Sequence, residues 1–486
     1  MRIKELFKNA ECKYRQIENI KIKGIAADSR LVKNGYLFVA QSGTRTDGHN
    51  FVKEAFSKNA AFIIGERSLP DCPRYIKVSS SRKILAILAD NFYRHPSKKL
   101  KLIGITGTNG KTTTSYLIYQ IISAAGFLPA LIGTIAYQIG NKTYKASHTT
   151  PDALKLHYLF SQMRRAKNNY CVIEVSSHAL EQQRTYGIDF SAAVFTNLTR
   201  DHLDYHKNFK NYYKAKKILF ENLTPRAAAI INTDDFYGRK IIRDTSANVL
   251  TYGCSKNADI RVIGKKPGLS PSELYIATPR GRLIIQSRLF GRYNIYNILA
   301  AVGCGIVLGF SVEVIKKGVE DVRFIKGRLQ PVDFGQPFKV FVDYAHTDDA
   351  LKNVLLTIRA MQPKRIILVF GCGGDRDRSK RPLMGKISAE FADITVITSD
   401  NPRSEDPQGI IDDILQGIKI KRRKKCISIL DRYQAIRRAF ILARCGDIVL
   451  IAGKGHERNQ IMQNKILDFD DYQVAKEILL NNGFDS

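Results

Sequence analysis

KLIGITGTNGKTTTS, residues 101–115, contains a short apolar strand, a glycine-rich turn and the start of a helix. The glycines allow the backbone of the turn to wrap an anion closely, because a Cβ would obstruct the approach. Backbone amides at a helix N-terminus bind phosphate, while Lys111 reaches the outer phosphates and the Thr112 hydroxyl can ligate Mg²⁺. The spacing differs from the standard phosphate loop, which would place a glycine at Ile105. The motif predicts ATP binding by Gly107, Thr108, Asn109, Gly110, Lys111, Thr112 and Thr113.

The bulk composition is that of an ordinary globular protein with sizeable hydrophobic cores. The 486 residues are 44% apolar and 25% charged, and this length predicts about three domains. No apolar run approaches the ~20 residues that span a bilayer, and the charged N-terminus lacks the apolar core of a signal peptide. We therefore expect a cytoplasmic protein without integral membrane association. The eight cysteines are scattered with no C-x-x-C pair, which favours buried reduced thiols over disulfides or metal ligands.

The net charge of +32 permits two interpretations. One is a surface that binds nucleic acid or an anionic membrane, and the other is a lysine-rich solvated surface around pockets for acidic small molecules. Only residues 419–425 (KIKRRKK) form a dense basic run, which is expected in a connection between a helix and a strand. Because no recognition motif for DNA or RNA accompanies this charge, the solvated surface is preferred and no nucleic-acid partner is expected. An ATP-dependent nucleic-acid-binding protein is the alternative from a different class.

Apolar strands that alternate with helices divide the chain into three blocks. Residues 1–97 mix short strands with helices, residues 98–327 open with the phosphate loop, and residues 328–486 repeat the alternation. The strands, such as 170–175 and 339–343, are continuous apolar runs, which is typical of parallel, doubly wound sheets covered by helices on both faces. We therefore predict an α/β protein of three domains: a smaller N-terminal domain, a central phosphate-loop domain and a C-terminal Rossmann-like domain.

Polar residues follow several predicted strands, and ligands of parallel sheets bind at the carboxyl ends of the strands. Glu174 lies at such an end, where a carboxylate near a phosphate loop is a natural Mg²⁺ ligand; the serines that follow also suit a helix N-cap. Residues 197–206 (NLTRDHLDYH) place two histidines and two aspartates within six residues. A Zn²⁺ site is an alternative, but the spacing is not a zinc signature, so Mg²⁺ with ATP is the simpler interpretation.

Four further polar loops follow the strands of the C-terminal block. They begin at Asp343, Gly371, Asp400 and Gly453. Asp400 and Arg403 together suit a zwitterionic ligand, with the carboxylate for an ammonium and the guanidinium for a carboxylate; taken alone, an Asx turn before proline explains them as well. Four such loops at successive strand ends exceed what turn chemistry alone requires. Lys216 lies in a predicted helix, and composition does not distinguish it from Lys214 or Lys217.

In their order along the chain these motifs resemble those of the Mur ligases, the ATP-dependent amino-acid ligases of bacterial cell-wall precursor synthesis. The resemblance covers all three blocks. It rests on TGTNGKTTT (106–114), EVSSH (174–178), NLTRDHLDYH (197–206), Ala215-Lys216 with Leu219-Phe220, GRYNIYN (291–297), GRLQPV (327–332) and DYAH (343–346). Asp28-Ser29-Arg30 resembles the UDP-binding domain of the members that add the third residue, and DNPR (400–403) resembles the signature of the diaminopimelate-adding members.

The resemblance implies four sets of site residues. The catalytic residues would be Lys111, Glu174, His202 and Lys216, with Thr112 on one Mg²⁺ and Glu174, His202 and a carbamoylated Lys216 on a second. The nucleotide would also contact Asn294, Asn297, Arg328 and Asp343. The precursor UDP-MurNAc-L-Ala-D-Glu would contact Ser29, Thr149, Thr150, Ser176, Gln182 and Arg184. meso-2,6-Diaminopimelate would contact Arg376, Asp400, Asn401, Arg403, Gly453 and Glu457.

The implied reaction passes through an acyl phosphate. The D-glutamate γ-carboxylate attacks the ATP γ-phosphate, and the amine of diaminopimelate then displaces phosphate. Mg²⁺ and Lys111 would neutralise the repulsion between the anions, and the amine needs a base, for which His202 and His346 stay open as alternatives. Lysine lacks the distal carboxylate, so an unpaired Arg403 would reject it. Since the reactants lie on three domains, closure is expected to assemble the site.

One position departs from the family pattern. Asp348 stands where a proline usually follows the threonine of DYAHT, so an altered local turn is expected. Within the ligases the alternatives are an L-lysine-adding homologue, a folylpolyglutamate synthetase or another Mur enzyme, against which Asp28-Ser29-Arg30 and DNPR argue. A monomer is expected, and amino-acid selectivity rests mainly on the four residues of DNPR.

Overall fold

The computed structural model describes residues 1–10, 20–43, 46–69, 74–266, 272–463 and 465–481. The described strands form three main sheets, in chain order, and one small hairpin. The predicted α/β class with mainly parallel sheets is confirmed. None of the helices in the described ranges combines the length and the apolar character that a bilayer crossing requires.

The N-terminal part is a parallel sheet of four strands in the order β1-β2-β3-β4. Its elements are α1 (Ile3–Leu6), β1 (Gly24–Ala26), β2 (Tyr36–Val39), α2 (Val52–Ser57), β3 (Phe62–Gly65), β4 (Tyr75–Lys77) and α3 (Ser81–Phe92), with short 3-10 turns at Ser29–Leu31 and Gly48–Phe51. The Ser80 hydroxyl caps α3 by accepting a hydrogen bond from the Lys83 amide. Helix α3 packs its apolar side on the sheet through Leu85 and Leu88.

The central part is an eleven-stranded sheet with the phosphate-loop strand in its middle. Its first elements, after a 3-10 turn at Ser97–Lys99, are β5 (Lys101–Thr106), α4 (Lys111–Ala124), β6 (Pro129–Ile132), β7 (Ala136–Ile139), β8 (Lys142–Lys145), α5 (Ala153–Arg165), β9 (Tyr170–Glu174) and α6 (Ser177–Glu181). Next come β10 (Ala192–Phe195), α7 (Leu203–His206), α8 (Phe209–Glu221), β11 (Ala228–Asn232), α9 (Phe236–Asp244) and β12 (Asn248–Gly253). The last are β13 (Ile260–Lys266), β14 (Ser272–Thr278), β15 (Gly281–Ser287), α10 (Arg292–Val307) and α11 (Val312–Glu320).

Helices cover both faces of the central sheet, as the continuous apolar strands predict. Helices α4, α10 and α11 pack on one face, and α5, α6, α8 and α9 pack on the other. The strands from β13 to β6 run parallel, whereas the hairpins β14–β15 and β7–β8 extend the two edges with antiparallel pairing. The sequence did not reveal these edges, because an exposed strand such as β8 carries no apolar run.

The C-terminal part is a six-stranded sheet in the order β16-β17-β21-β18-β19-β20, parallel except at β16. Its elements are β16 (Gln330–Val332), β17 (Lys339–Asp343), α12 (Asp348–Arg359), β18 (Ile366–Phe370), α13 (Lys380–Phe391), β19 (Ile394–Ile397) and α14 (Pro407–Gln416). They continue with α15 (Ile420–Arg423), β20 (Cys426–Ser428), α16 (Arg432–Leu442), β21 (Ile448–Ala452), β22 (Asn459–Met462), β23 (Lys465–Asp468) and α17 (Asp471–Asn481). Helices α12, α13 and α14 cover one face, and α16 and α17 cover the other.

The basic run at 419–425 lies between α14 and β20, as expected, and includes the single turn α15. Arg423 Nη2 donates to the Leu415 carbonyl at 3.2 Å, and Arg422 donates to the Ala389 carbonyl. Both carbonyls belong to the last turns of helices, where cations are stabilised. Two of the basic side chains in this run therefore have a local structural role.

The cysteines follow their expected burial only in part. Cys171, Cys304 and Cys372 are buried free thiols, whereas Cys445 is an exposed one. Cys12 and Cys72 lie outside the described residues. Cys445 is exposed because it lies in the connection between α16 and β21.

Candidate active site

The phosphate loop connects β5 to α4 in a conformation that requires glycine. Gly107 and Gly110 have φ angles of +148° and +89°. A Cβ at Gly107 would overlap the Thr196 hydroxyl, and a Cβ at Gly110 would overlap the Asn297 amide oxygen. The loop backbone therefore approaches its neighbours closely, while helix α4 begins immediately after it at Lys111.

The Lys111 ammonium folds back over this loop. It donates to the carbonyl oxygens of Gly107 and Thr108 at 2.9 and 2.8 Å. Burial lowers its pKa, against the opposing effect of Glu174. A flexible cation held by neutral carbonyls is free to exchange them for phosphate oxygens, which are stronger acceptors.

Glu174, at the end of β9, is fully buried and tightly held. Thr112 Oγ1 donates to its Oε2 at 2.9 Å. Thr134 donates twice, from its amide to Oε1 and from its hydroxyl to Oε2, both at 2.9 Å. Carboxylate and hydroxyl oxygens are the ligands that Mg²⁺ prefers, so Glu174 and Thr112 have the chemistry that a magnesium site needs.

Lys216 differs sharply from the other lysines of α8. It is buried, its amine donates to the Gly107 carbonyl at 2.8 Å, and it lies 4.5 Å from the centroid of the Tyr212 ring. Burial and the nearby Lys111 lower its pKa well below the usual value. By contrast, Lys214 is exposed, and Lys217 pairs with Glu221 at 2.7 Å.

The polar loop after β10 brings His202 beside Asp201. His202 Nε2 lies 3.3 Å from Asp201 Oδ2, and its ring lies 4.8 Å from the ring of His178. Burial lowers the pKa of His202 to about 3, although Asp201 opposes the shift. Burial alone would raise the pKa of Asp201, but the neighbouring His202, His346, Lys380 and Lys111 lower it to about 2. His202 is therefore a neutral imidazole at physiological pH, the form that ligates metals.

Side chains from the C-terminal part reach the phosphate loop. Arg328 Nη2 donates to Thr112 Oγ1 at 3.2 Å, and Asn109 Nδ2 donates to Asp349 Oδ2 at 3.0 Å. Asp343 instead accepts backbone amides of Leu329 and Ala345 at 2.7 and 2.8 Å, and burial raises its pKa. Asp343 thus holds the two loops that carry Leu329 and Ala345 in place.

These groups surround a cavity of about 520 Å³ between the central and C-terminal parts. Of the residues implied by the sequence, its lining includes Thr108, Asn109, Gly110, Lys111, Thr112, Thr113, Thr149, Glu174, Ser176, His202, Lys216, Asn297, Arg328 and Asp343. Gly107 and Asn294 lie behind the lining, where the Asn294 amide oxygen accepts a hydrogen bond from Asn297 at 2.9 Å. Asp201, His346 and Asp349 also line the cavity.

Asp348 occupies the first position of helix α12. Thr347 is the N-cap, and its hydroxyl accepts a hydrogen bond from the Ala350 amide at 3.2 Å. Proline is well tolerated at this position, and a carboxylate there is stabilised by the helix dipole. Because aspartate and proline both suit it, the capped start of α12 argues against the altered turn that the sequence suggested.

The residues implied for the precursor form one network and one separate position. Thr150 Oγ1 donates to the Glu174 carbonyl at 2.7 Å and accepts from the Ser176 amide at 3.0 Å. Arg184 donates to the Thr150 carbonyl and to the Gln182 side chain, each at 2.7 Å. Ser29 lies in the N-terminal part, where its hydroxyl donates to Glu54 at 3.0 Å. Thr149 joins the network through the Thr134 hydroxyl at 3.1 Å.

The residues implied for diaminopimelate form a second cluster outside the cavity lining. Asn401 Nδ2 donates to Glu457 Oε2 at 2.7 Å, and Arg403 Nη1 donates to the Gly374 carbonyl at 2.6 Å. Gly453 has φ +112°, and a Cβ there would approach Asp400 Oδ2. Arg376 is exposed and bonds only to the carbonyl of Asp375, at 3.1 Å, among the described residues.

Three family models match the chain. The Mur ligase family catalytic domain matches residues 21–93, the Mur ligase middle domain residues 105–305, and the glutamate ligase domain of Mur ligases residues 327–455. The chain belongs to the Mur ligase family. The relatives named UDP-N-acetylmuramoyl-L-alanyl-D-glutamate–2,6-diaminopimelate ligase include one from Solibacter usitatus, 45% identical over 96% of both chains. Another, from Clostridium botulinum, is 43% identical over 99% of both.

A solved structure of a UDP-N-acetylmuramoyl-L-alanyl-D-glutamate–2,6-diaminopimelate ligase also resembles this Mur ligase. It is 31% identical, with a TM-score of 0.69 over 99% of both chains.

Sequence reasoning missed three groups in this Mur ligase site: Thr134, Asp349 and Lys454. Thr134 follows the carboxyl end of β6, so the strand-end rule applied to the other loops would have found it. Lys454 belongs to the loop that begins at Gly453, and its complete burial could not be predicted, because lysine side chains are mostly exposed. The burial of Lys216 could have been predicted from the helical spacing of apolar residues, because it shares one side of α8 with Tyr212, Ala215 and Leu219.

Proposed function

We propose that the protein is an ATP-dependent ligase that joins meso-2,6-diaminopimelate to the D-glutamate γ-carboxylate of UDP-MurNAc-L-Ala-D-Glu. The observation that carries this proposal is the cavity in which the phosphate loop, Glu174, His202 and Lys216 face Arg328. The names of the relatives that match along nearly their whole length at 43–45% identity support the choice of substrates. The L-lysine-adding alternative is not favoured, because DNPR is present and these relatives are named for diaminopimelate.

The phosphate loop would hold the nucleotide, and Lys111 would leave its carbonyl partners to contact the outer phosphates. Arg328 is already 3.2 Å from Thr112 and would add a second positive charge beside the transferring phosphoryl group. Positive charge there lowers the barrier to attack by the precursor carboxylate, because two anions must approach each other. Two Mg²⁺ ions, one held by Thr112 and a second held by Glu174, His202 and a carbamoylated Lys216, would supply further charge neutralisation at this point.

Lys216 would act as a carbamate rather than as a lysine. Burial and the nearby Lys111 lower its pKa and so favour the neutral amine. A neutral amine attacks CO₂, and loss of one proton leaves an N-carboxylate, which carries the negative charge that a cation site needs. A carbamate on Lys216 would join Glu174 and His202 around the second cation, and all three residues line the same cavity.

The second half-reaction would take place between the two clusters. Thr149, Thr150, Ser176, Gln182 and Arg184 would hold the precursor peptide, with Ser29 near its uridine end. Arg403 and Glu457 would bind the distal carboxylate and ammonium of diaminopimelate. The amine that attacks the acyl phosphate would lose its proton to His202 or His346; burial and Lys380 lower the pKa of His346 to about 4.

We further propose that residues 1–97, 98–327 and 328–486 are three domains that close during the reaction, within a monomer. The contacts of Arg328 with Thr112 and of Asn109 with Asp349 support a closing interface at the nucleotide loop. Small-angle scattering with an ATP analogue and the precursor is expected to show compaction, and an unchanged radius of gyration would contradict closure.

Phosphate release from ATP-Mg²⁺ and UDP-MurNAc-L-Ala-D-Glu tests the reaction, with meso-diaminopimelate, L-lysine or nucleic acid added in parallel. Release that depends on diaminopimelate, with a product one residue heavier by mass spectrometry, is the expected result. Release that depends on L-lysine and not on diaminopimelate would support a ligase activity but refute the role of Arg403. Stimulation by nucleic acid alone would overturn the proposal.

A further inference from the structure

Lys454 is a lysine with no access to solvent, in the loop that follows β21. Its ammonium donates to the Asn459 carbonyl at 2.6 Å and to Asn401 Oδ1 at 3.3 Å, and it lies 3.5 Å from Glu457 Oε2. A buried charge is costly unless hydrogen bonds and an opposite charge compensate it. Each of these contacts therefore constrains its partner as well as the lysine.

The contacts of Lys454 determine how the Asn401 amide is oriented. Asn401 Oδ1 accepts from Lys454 and from the Ile461 amide at 2.9 Å. Two donors on one side select the oxygen for that side. The amide nitrogen must then point the other way, where it donates to Glu457 Oε2 at 2.7 Å. The orientation of Asn401 is thus fixed by the protein before any ligand is present.

The same contacts hold Glu457. Its Oε2 is shared by Asn401 and Lys454, while its Oε1 accepts no hydrogen bond from the described residues. The charged and titratable groups around it are Asp400 and Arg403 after β19, Tyr344 after β17, Arg432 at the start of α16, and Lys454. Burial and Asp400 raise the pKa of Glu457, and Lys454 opposes that shift.

We propose that Lys454 is a positioning residue for amino-acid recognition, which orients the Asn401 amide and holds Glu457 with one carboxylate oxygen available for the ammonium of the incoming amino acid. This inference rests on the proposed function, because the binding of the amino acid by Asn401 and Glu457 is itself part of that proposal. Lys454 itself does not touch the substrate. Removing it should weaken amino-acid binding and leave nucleotide binding intact.

Lys454→Met keeps the length of the side chain and removes its donors and charge. We expect the KM for diaminopimelate to rise by roughly 10- to 100-fold, since buried acceptors lose their partner, with the KM for ATP unchanged. Arg458→Met is the matched control, because Arg458 lies four residues after Lys454 and its side chain is 73% exposed. In the described part of the chain its only ion pair is with Asp470, at 4.0 Å. This control should behave as the wild type.

The pH dependence separates positioning from a general loss of structure. Without Lys454 the pKa of Glu457 rises further, so the acid limb of kcat/KM for diaminopimelate should move to higher pH. Lys454→Gln restores a donor for the Asn459 carbonyl without the charge. It should recover part of the KM but keep the shifted pH profile, and it serves as the second variant if Lys454→Met does not fold.

Two results would overturn the proposal. One is a KM for diaminopimelate that stays unchanged in a folded Lys454→Met enzyme, and the other is an equal loss for ATP and diaminopimelate with the pH profile unmoved. Failure of the proposed function has a different signature, because wild-type enzyme would then show no phosphate release that depends on diaminopimelate. The two failures are therefore distinguishable in one set of assays.

Discussion

The proposed nucleotide site and the proposed amino-acid cluster are built in opposite ways. The nucleotide loop takes consecutive residues between one strand and one helix, and its glycines are required by the backbone itself. The amino-acid cluster takes side chains from loops after β18, β19 and β21, which only the folded sheet brings together. The binding chemistry of a contiguous loop can be recognised from its sequence, whereas that of a dispersed cluster depends on side-chain contacts that only the fold creates. Substitutions should therefore reduce kcat around the first and change amino-acid affinity around the second.

Lys216→Ala should give the largest effect. Without the buried amine the proposed carbamate cannot form and the proposed cation site loses one ligand. We therefore expect kcat to fall by about 100- to 1,000-fold, as when a group aimed at developing charge is removed. Steady-state phosphate release measures this loss.

Lys214→Ala is the control, because Lys214 is exposed on the same helix. Equal activities of the two variants would show that the buried Lys216 has no special role in catalysis, and would contradict the proposed carbamate.

Arg403→Met should act on the amino-acid cluster alone. An unpaired carboxylate in a site built to pair it is strongly rejected, so kcat/KM for diaminopimelate should drop about 100-fold while the KM for ATP stays constant. Discrimination against lysine should shrink in the same measurement.

The control for Arg403 is Arg378→Met, because Arg378 is 70% exposed and pairs with Glu405 at 2.9 Å. If Arg403→Met raised the KM for ATP as much as that for diaminopimelate, the two sites would not be separable.

The α/β class and the phosphate loop were predictable from the sequence for a physical reason. Buried parallel strands such as β9 and β17 are continuous apolar runs, and the glycines of the phosphate loop mark a required backbone. Edge strand β8 was not predictable, since exposed strands follow no apolar pattern. The partners of Glu174 and Glu457 were harder to predict for two different reasons. The strand-end rule points to Thr134 but not to its contact with Glu174, which lies 40 residues away. Lys454 is only three residues from Glu457, but its burial is unusual for a lysine.

Thr134→Val tests one of those contacts at the nucleotide site. The change removes the hydroxyl that donates to Glu174 Oε2 at 2.9 Å and keeps the amide that donates to Oε1. Groups that orient a metal ligand are worth about 10-fold or more when lost, so kcat should fall by about tenfold at unchanged KM for diaminopimelate.

The exposed Thr143 of strand β8 offers a control through Thr143→Val. A rise in the KM for diaminopimelate in Thr134→Val, without a change in kcat, would show that Thr134 contributes to amino-acid binding and not to the nucleotide site.

Asp349→Asn should give the smallest effect, and it tests whether the two sites are independent. Asp349 Oδ2 accepts from Asn109 Nδ2 at 3.0 Å, so the nucleotide loop is tied to the C-terminal part that carries the amino-acid cluster. Asparagine keeps an oxygen that can accept from Asn109 but removes the charge that strengthens the bond, so a loss of at most about 1 kcal/mol is expected. This predicts a rise of up to about fivefold in the KM for ATP. Asp412→Asn, on the exposed side of α14 with its bond to Gln408 at 2.9 Å, should leave the KM unchanged. If the KM for diaminopimelate rose together with that for ATP, the contact would couple the two sites. Binding at one site would then depend on the other, although the two are built from different segments.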